Sequence, residues 1–137
     1  MIFFEWPETY LTNISKFDTQ HQKLVSLINA LYVDLVSCQN ISQKQPVIVE
    51  ALLELIAYSF YHFEAEEELM ILYEYPGYMG HKEEHDQFKQ QVSQFVKEQS
   101  EGTLILSFPI LVFLKDWLTS HVLTTDMQYG PYLNERM

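Results

Sequence analysis

The sequence predicts an all-α protein, an up-down-up-down antiparallel four-helix bundle with an extended N-terminal arm. Three observations carry this. Apolar residues recur at threes and fours, as in Leu24, Leu27, Ile28, Leu31 and Leu35, the period of a helix with one buried face. Breakers separate four such stretches by short connections, so neighbouring helices must turn back on one another. No internal repeat, low-complexity tract or linker divides the 137 residues, a length that suits one domain with a sizeable core.

The elements follow in order. Residues 1–17 carry aromatics without a helical period, with Pro7 and Asn13 as breakers, and are expected to lie along the domain as an arm. Asp18 is the expected N-cap of a first helix over about 19–38. Ser42 caps a second over about 43–72, with Pro46 in or near its first turn. Tyr75-Pro76-Gly77-Tyr78 breaks the chain before a third helix over about 79–100. A fourth over about 107–123 follows Ser107, with Pro109 tolerated in its first turn. The tail from Gln128, with Gly130-Pro131, is expected to be an irregular turn.

Composition excludes several functions. The formal net charge is -11, with only eight Lys and Arg, which argues against nucleic acid or an anionic membrane as partner. Cys38 is the single cysteine, so no internal disulfide forms and a reducing compartment is the simpler expectation. The first residues lack the basic and apolar regions of a signal peptide. No apolar run approaches the roughly 20 residues of a membrane helix. The expectation is a cytoplasmic, acidic, monomeric domain.

Chemistry concentrates in the five histidines. Residues four apart on a helix lie about 40° apart around the axis and about 6 Å along it. His81 and His85 therefore point one way, as do His62 and Glu66. Each pair alone is most simply a surface pair, and Glu64, Glu67 and Glu68 beside them a solvated face. His121 and Asp126 are five apart, an offset of about 140° in a regular helix. They converge only if the backbone loosens into a π-type turn or the helix ends there; such irregularities often mark functional sites, and one is expected between them. In the bundle, His21, His81 and His85 stand early in helices one and three. His62, Glu66, His121 and Asp126 stand late in helices two and four. All seven fall in one layer, and buried imidazoles and carboxylates without partners cost several kcal/mol that metal would offset. His81-x-x-Glu84-His85 also matches a zinc-peptidase pattern with Glu84 as base. That reading leaves His21, His62, His121 and Asp126 unused and needs a cleft that a small bundle does not offer.

These residues, His21, His62-x-x-x-Glu66, His81-x-x-x-His85 and His121-x-x-x-x-Asp126, resemble the hemerythrin ligand pattern, complete and in order. Trp6, Asp18-x-Gln20-His21, Tyr75-Pro76 and Trp117-Leu118 resemble the bacterial hemerythrins in particular. Pro7, where those proteins often have Asp, and Pro109 are departures that bear on packing. The resemblance covers nearly all of the chain and implies a single hemerythrin-like domain over 1–137 that binds O₂ reversibly and is not an enzyme. It implies two iron ions, non-haem and joined by an oxo or hydroxo bridge. Glu66 and Asp126 would bridge them, with His81, His85 and His121 completing one iron and His21 and His62 on the other. Five nitrogens, four carboxylate oxygens and one shared oxygen counted twice leave one of twelve positions open, on the iron of His21 and His62. Leu118, Leu24 and Phe63 are the expected apolar wall of the O₂ pocket, and ordinary core otherwise. Storage, delivery or sensing of O₂ is the implied role; a peroxide or nitric oxide scavenger and a regulatory, partner-binding bundle are the alternatives.

Overall fold

The computed structural model describes the backbone of residues 4–6, 10–36, 41–100 and 108–137, and the side chains of these except 41–48, 96, 99, 100, 108 and 109. Four helices form the bundle: α1 (Ser15–Val36), α2 (Ile41–Leu72), α3 (Tyr78–Ser100) and α4 (Phe108–His121). A single π-turn, Val122–Asp126, leads from α4 directly into α5 (Met127–Arg136). Among the described residues there is no strand, and no helix is long and apolar enough to cross a membrane. The all-α antiparallel bundle is as the apolar period predicted. The expectations placed on Pro7, Cys38, Ser107 and the side chains of Ser42, Pro46 and Pro109 lie outside the described residues.

The apolar repeat of α1 buries Leu24, Ile28, Leu31 and Leu35 against Leu52, Leu55 and Ile56 of α2, Phe88 and Val92 of α3, and Ile110, Leu111, Leu114 and Leu118 of α4. Each such side chain contributes about 1.5–3 kcal/mol relative to exposure. A second, smaller cluster joins Ile14, Phe17, Ala65, Met70, Tyr129 and Leu133 at one end of the bundle. The arm is pinned to α1 by a reciprocal pair: Phe4 N–H donates to Asn29 Oδ1 (2.8 Å) and Asn29 Nδ2 donates to the Phe4 carbonyl (2.9 Å).

Two expectations need correction. The first helix starts at Ser15, so Asp18 lies within its first turn and is not its N-cap. It reaches back instead, accepting from Thr12 N–H (2.7 Å), the Thr12 hydroxyl (2.7 Å) and Asn13 N–H (3.1 Å). This folds the arm's last residues onto the helix, as a carboxylate near a helix N-terminus does. The second helix ends at Leu72, ahead of Tyr75-Pro76-Gly77-Tyr78. Glu74 takes the left-handed conformation (φ 54°), while Tyr75 N–H bonds the Met70 carbonyl (2.8 Å) and Glu74 N–H that of Ile71 (3.2 Å). This is a Schellman ending, with glutamate where glycine is usual.

Second, the tail from Gln128 is helical. Pro131 sits inside α5, where loss of one N–H and ring crowding costs about 3 kcal/mol. Tyr129 and Leu133 on its inner face are wholly buried, worth about 1.5–3 kcal/mol each. The Tyr132 hydroxyl fastens the helix further, donating toward the carbonyls of Tyr73 and Glu74. Packing wins over the breaker.

Candidate metal centre

All seven predicted residues meet in one buried layer, none more than 2 % exposed. α1 brings His21, α2 His62 and Glu66, α3 His81 and His85, and α4 ends on His121. The π-turn then brings Asp126 back beside it: His121 Nε2 lies 2.9 Å from Asp126 Oδ1. The irregularity expected from the five-residue spacing is present, and the wider turn is what closes the offset.

Two donor groups form, each with all its donor atoms within 4.8 Å of one another. One holds His81, His85, His121, Glu66 and Asp126; the other holds His21, His62, Glu66 and Asp126. Both carboxylates belong to both groups. Within the first, His81 Nε2 is 2.9 Å from Asp126 Oδ1, His85 Nε2 is 3.3 Å from Glu66 Oε1, and the Nε2 atoms of His85 and His121 are 3.0 Å apart. Within the second, His21 Nε2 is 3.0 Å from Asp126 Oδ2 and His62 Nε2 3.1 Å from Glu66 Oε1. Donors held about 2.1 Å from a common ion at right angles stand about 3 Å apart, so these spacings suit the edges of coordination polyhedra. The donor atoms are also the orphans of this interior. His21 Nε2, His62 Nε2, His81 Nε2, Glu66 Oε1 and both Asp126 oxygens are buried without a hydrogen-bond partner, an arrangement several kcal/mol uphill unless a cation fills it. The residues present fit a pair of metal ions.

Residues 12–133 match the model of the hemerythrin HHE cation binding domain. The chain belongs to the hemerythrin family. It is 30% identical over 127 residues to a bacteriohemerythrin of Clostridium acetobutylicum, covering 92% of this chain and 98% of that protein. It is 31% identical over 123 residues to a bacteriohemerythrin of Methylococcus capsulatus (90% of each), and 30% over 126 residues to a hemerythrin-like protein of Naegleria gruberi (92% and 90%). The crystal structure of a wild-type hemerythrin superposes with a TM-score of 0.86 at 30% identity, over 96% of this chain and 98% of that one.

Electrostatics show what this hemerythrin layer demands. Burial by itself lowers the histidines, yet the close negative charges of Asp126 and Glu66 outweigh it and push His81 up to about 9 and His121 up to about 10. His21 is raised by the same two carboxylates against its burial. For His62 burial prevails and the neutral form is favoured. Burial and mutual repulsion push the carboxylates up, but the imidazoles hold both Glu66 and Asp126 well below the usual carboxylate range. Two anions buried together call for positive charge, and without a metal ion protons supply it. Metal binding must displace those protons.

The outer faces of the imidazoles are held too, by residues whose roles the sequence left invisible. His62 Nδ1–H donates to Gln20 Oε1 (2.5 Å), His85 Nδ1–H to Glu67 Oε2 (2.9 Å) and His121 Nδ1–H to Glu84 Oε1 (2.9 Å). Each bond fixes the tautomer that aims the Nε2 lone pair inward. Glu67 is therefore not part of a solvated face, unlike the exposed Glu64 and Glu68. Glu84 turns to His121 and Thr125, which removes it as the base of a peptidase. Tyr129 donates to Glu66 Oε2 (2.5 Å) and lies over His81 at 5.5 Å. Its only sequence signal was a place three residues after Asp126.

Apolar rings close the other side. Phe63 stacks on His85 (4.0 Å, 13°) and Trp117 on His121 (4.5 Å, 15°). Beyond them lies an apolar cavity of about 10 Å³, lined by Leu24, Phe63, Trp117 and Leu118 among others, room for roughly one water-sized guest. Ser59 is its hydroxyl-bearing wall residue, and that hydroxyl donates to the Leu55 carbonyl (2.8 Å). Leu24, Phe63 and Leu118 line this cavity together, and none of the five histidines does.

Proposed function

We propose that this protein binds O₂ reversibly at a non-haem di-iron centre, for storage, delivery or sensing of oxygen. The observation that carries the reading is the pair of donor groups sharing Glu66 and Asp126, three histidines on one side and two on the other. Two iron ions would supply the electrons on which reversible O₂ binding depends.

The ligand roles follow from position. Glu66 and Asp126, common to both groups, would serve both ions; His81, His85 and His121 would hold one and His21 and His62 the other. The smaller histidine set would offer its ion fewer protein donors, four residues against five. Neutral imidazoles outnumber carboxylates five to two, and fewer anionic ligands disfavour high-valent, oxidising states. That favours a carrier over an oxidase. Leu24, Phe63 and Leu118 keep water and its protons away from the layer. Tyr129, held in its protonated form by burial and by the charges of Glu66 and Asp126, steadies the Glu66 carboxylate through its hydroxyl. A single hemerythrin-like domain spanning residues 1–137, acting as a monomer in the cytoplasm, completes the reading.

The test is iron content together with optical spectra of anaerobically reduced protein, before O₂, after O₂ and after gas removal. About two irons per chain and a visible band that comes and goes with O₂ are expected. Two irons with rapid, irreversible oxidation would overturn the carrier reading in favour of peroxide or nitric oxide scavenging. One zinc and no iron would overturn the di-iron centre itself.

A further inference from the structure

The two halves of the donor layer are backed by groups of different charge. Behind His85 and His121 stand carboxylates, Glu67 and Glu84, each 2.9 Å from an imidazole Nδ1. Behind His62 stands the neutral amide of Gln20. Among the described residues nothing accepts from His21 Nδ1. Both negative charges thus back the three-histidine side.

Glu84 differs from Glu67 in what else it holds. Its side chain is 41% exposed, against 14% for Glu67. Both its oxygens accept from the Thr125 hydroxyl (2.8 and 2.7 Å) while Oε1 also accepts from His121. One carboxylate on α3 therefore grips the last residue of α4 and the fourth residue of the π-turn, immediately before Asp126. It reaches from the surface to the back of a buried imidazole.

We infer that Glu84 is a positioning residue that fixes the His121 ring and sets the redox preference of the metal that ring faces. The inference rests on the di-iron reading. A carboxylate accepting Nδ1–H draws the imidazole toward imidazolate and makes its Nε2 a stronger donor. A stronger, more anionic donor favours the ferric over the ferrous ion. Removing the carboxylate's charge shifts that preference toward ferrous, while the amide backing of His62 gives its ion no such help. A merely structural strut between α3 and the π-turn would change stability and leave the potential alone.

The experiment compares iron-loaded wild type with Glu84→Gln, Thr125→Val and Glu83→Gln, measuring iron per chain and midpoint potential by anaerobic spectroelectrochemistry. Glu84→Gln keeps the shape and an acceptor oxygen but not the charge. Glu83→Gln removes an equal charge from the adjacent, exposed position. The expected result is that Glu84→Gln retains iron while the ferric preference falls at least tenfold, a rise of about 59 mV for a one-electron couple. Thr125→Val, which frees the carboxylate at one end, gives a smaller rise in the same direction. A Glu84→Gln shift no larger than that of Glu83→Gln overturns the inference. Should Glu84→Gln not fold or not take up iron, Thr125→Val decides: a rise supports the inference and an unchanged potential overturns it. Wild-type chain without iron would overturn the di-iron reading instead, a separate result seen before any variant is compared.

Discussion

The donor layer lies between two packed regions built on different rules. Along α1, His21 stands between Phe17 and Leu24; along α2, Glu66 stands between Phe63 and Met70. Leu24 and Phe63 belong to the large core, Phe17 and Met70 to the small end cluster. The large core is made by helices contributing apolar residues at threes and fours. The small one is made from element ends: the arm, the first turn of α1, the last turns of α2, and α5. Polar bonds hold it, from Asp18 to Thr12, Tyr129 to Glu66, and Tyr132 to the carbonyls of Tyr73 and Glu74. One side supplies volume and dryness; the other supplies orientation. A site that needs both a dry pocket and carboxylates held at fixed angles sits where the two regions meet.

The largest effect should come from removing what the two sides share. Glu66→Ala deletes a donor common to both groups, and iron per chain, measured by metal analysis, should drop from about two to below one. Retention of both irons would show that Glu66 is not a bridge. On the dry side, Leu118→Ala opens space beside the cavity, and stability from urea unfolding should fall by about 2–5 kcal/mol. The same variant should oxidise irreversibly faster in air, since water then reaches the layer. On the oriented side, Tyr129→Phe leaves Glu66 Oε2 without its donor, at a cost of about 1–3 kcal/mol. It leaves packing volume nearly unchanged, so a loss as large as that of Leu118→Ala would erase the distinction between the regions.

The two regions also differ in how far the sequence foretold them. The large core obeys a period, and Leu24, Ile28, Leu31 and Leu35 could be placed before any coordinates. The donor residues shared that legibility, because spacings of four fix a helix face and the one spacing of five demanded an irregularity, either a π-turn or a helix end. The end region broke local rules. Asp18 looks like a cap and acts from inside the first turn. Gly130-Pro131 looks like a stop, yet burial of Tyr129 and Leu133 carries the helix through it. Gln20, Glu67 and Glu84 stayed hidden because each serves a histidine on a different helix, a relation that no local pattern encodes.

Gly130 has one further consequence. A β-carbon there would come 2.6 Å from the Thr12 carbonyl oxygen, so the arm and α5 approach to bare-backbone thickness. Thr12 is held in turn by Asp18, and the residue beside Gly130 is Tyr129, whose hydroxyl meets Glu66. These contacts act as a lever with its fulcrum at the glycine: the spacing of two chain segments sets how far a phenol reaches toward a carboxylate in the interior. The calibration of the buried layer therefore extends into the arm, to the buried Thr12 that Asp18 holds.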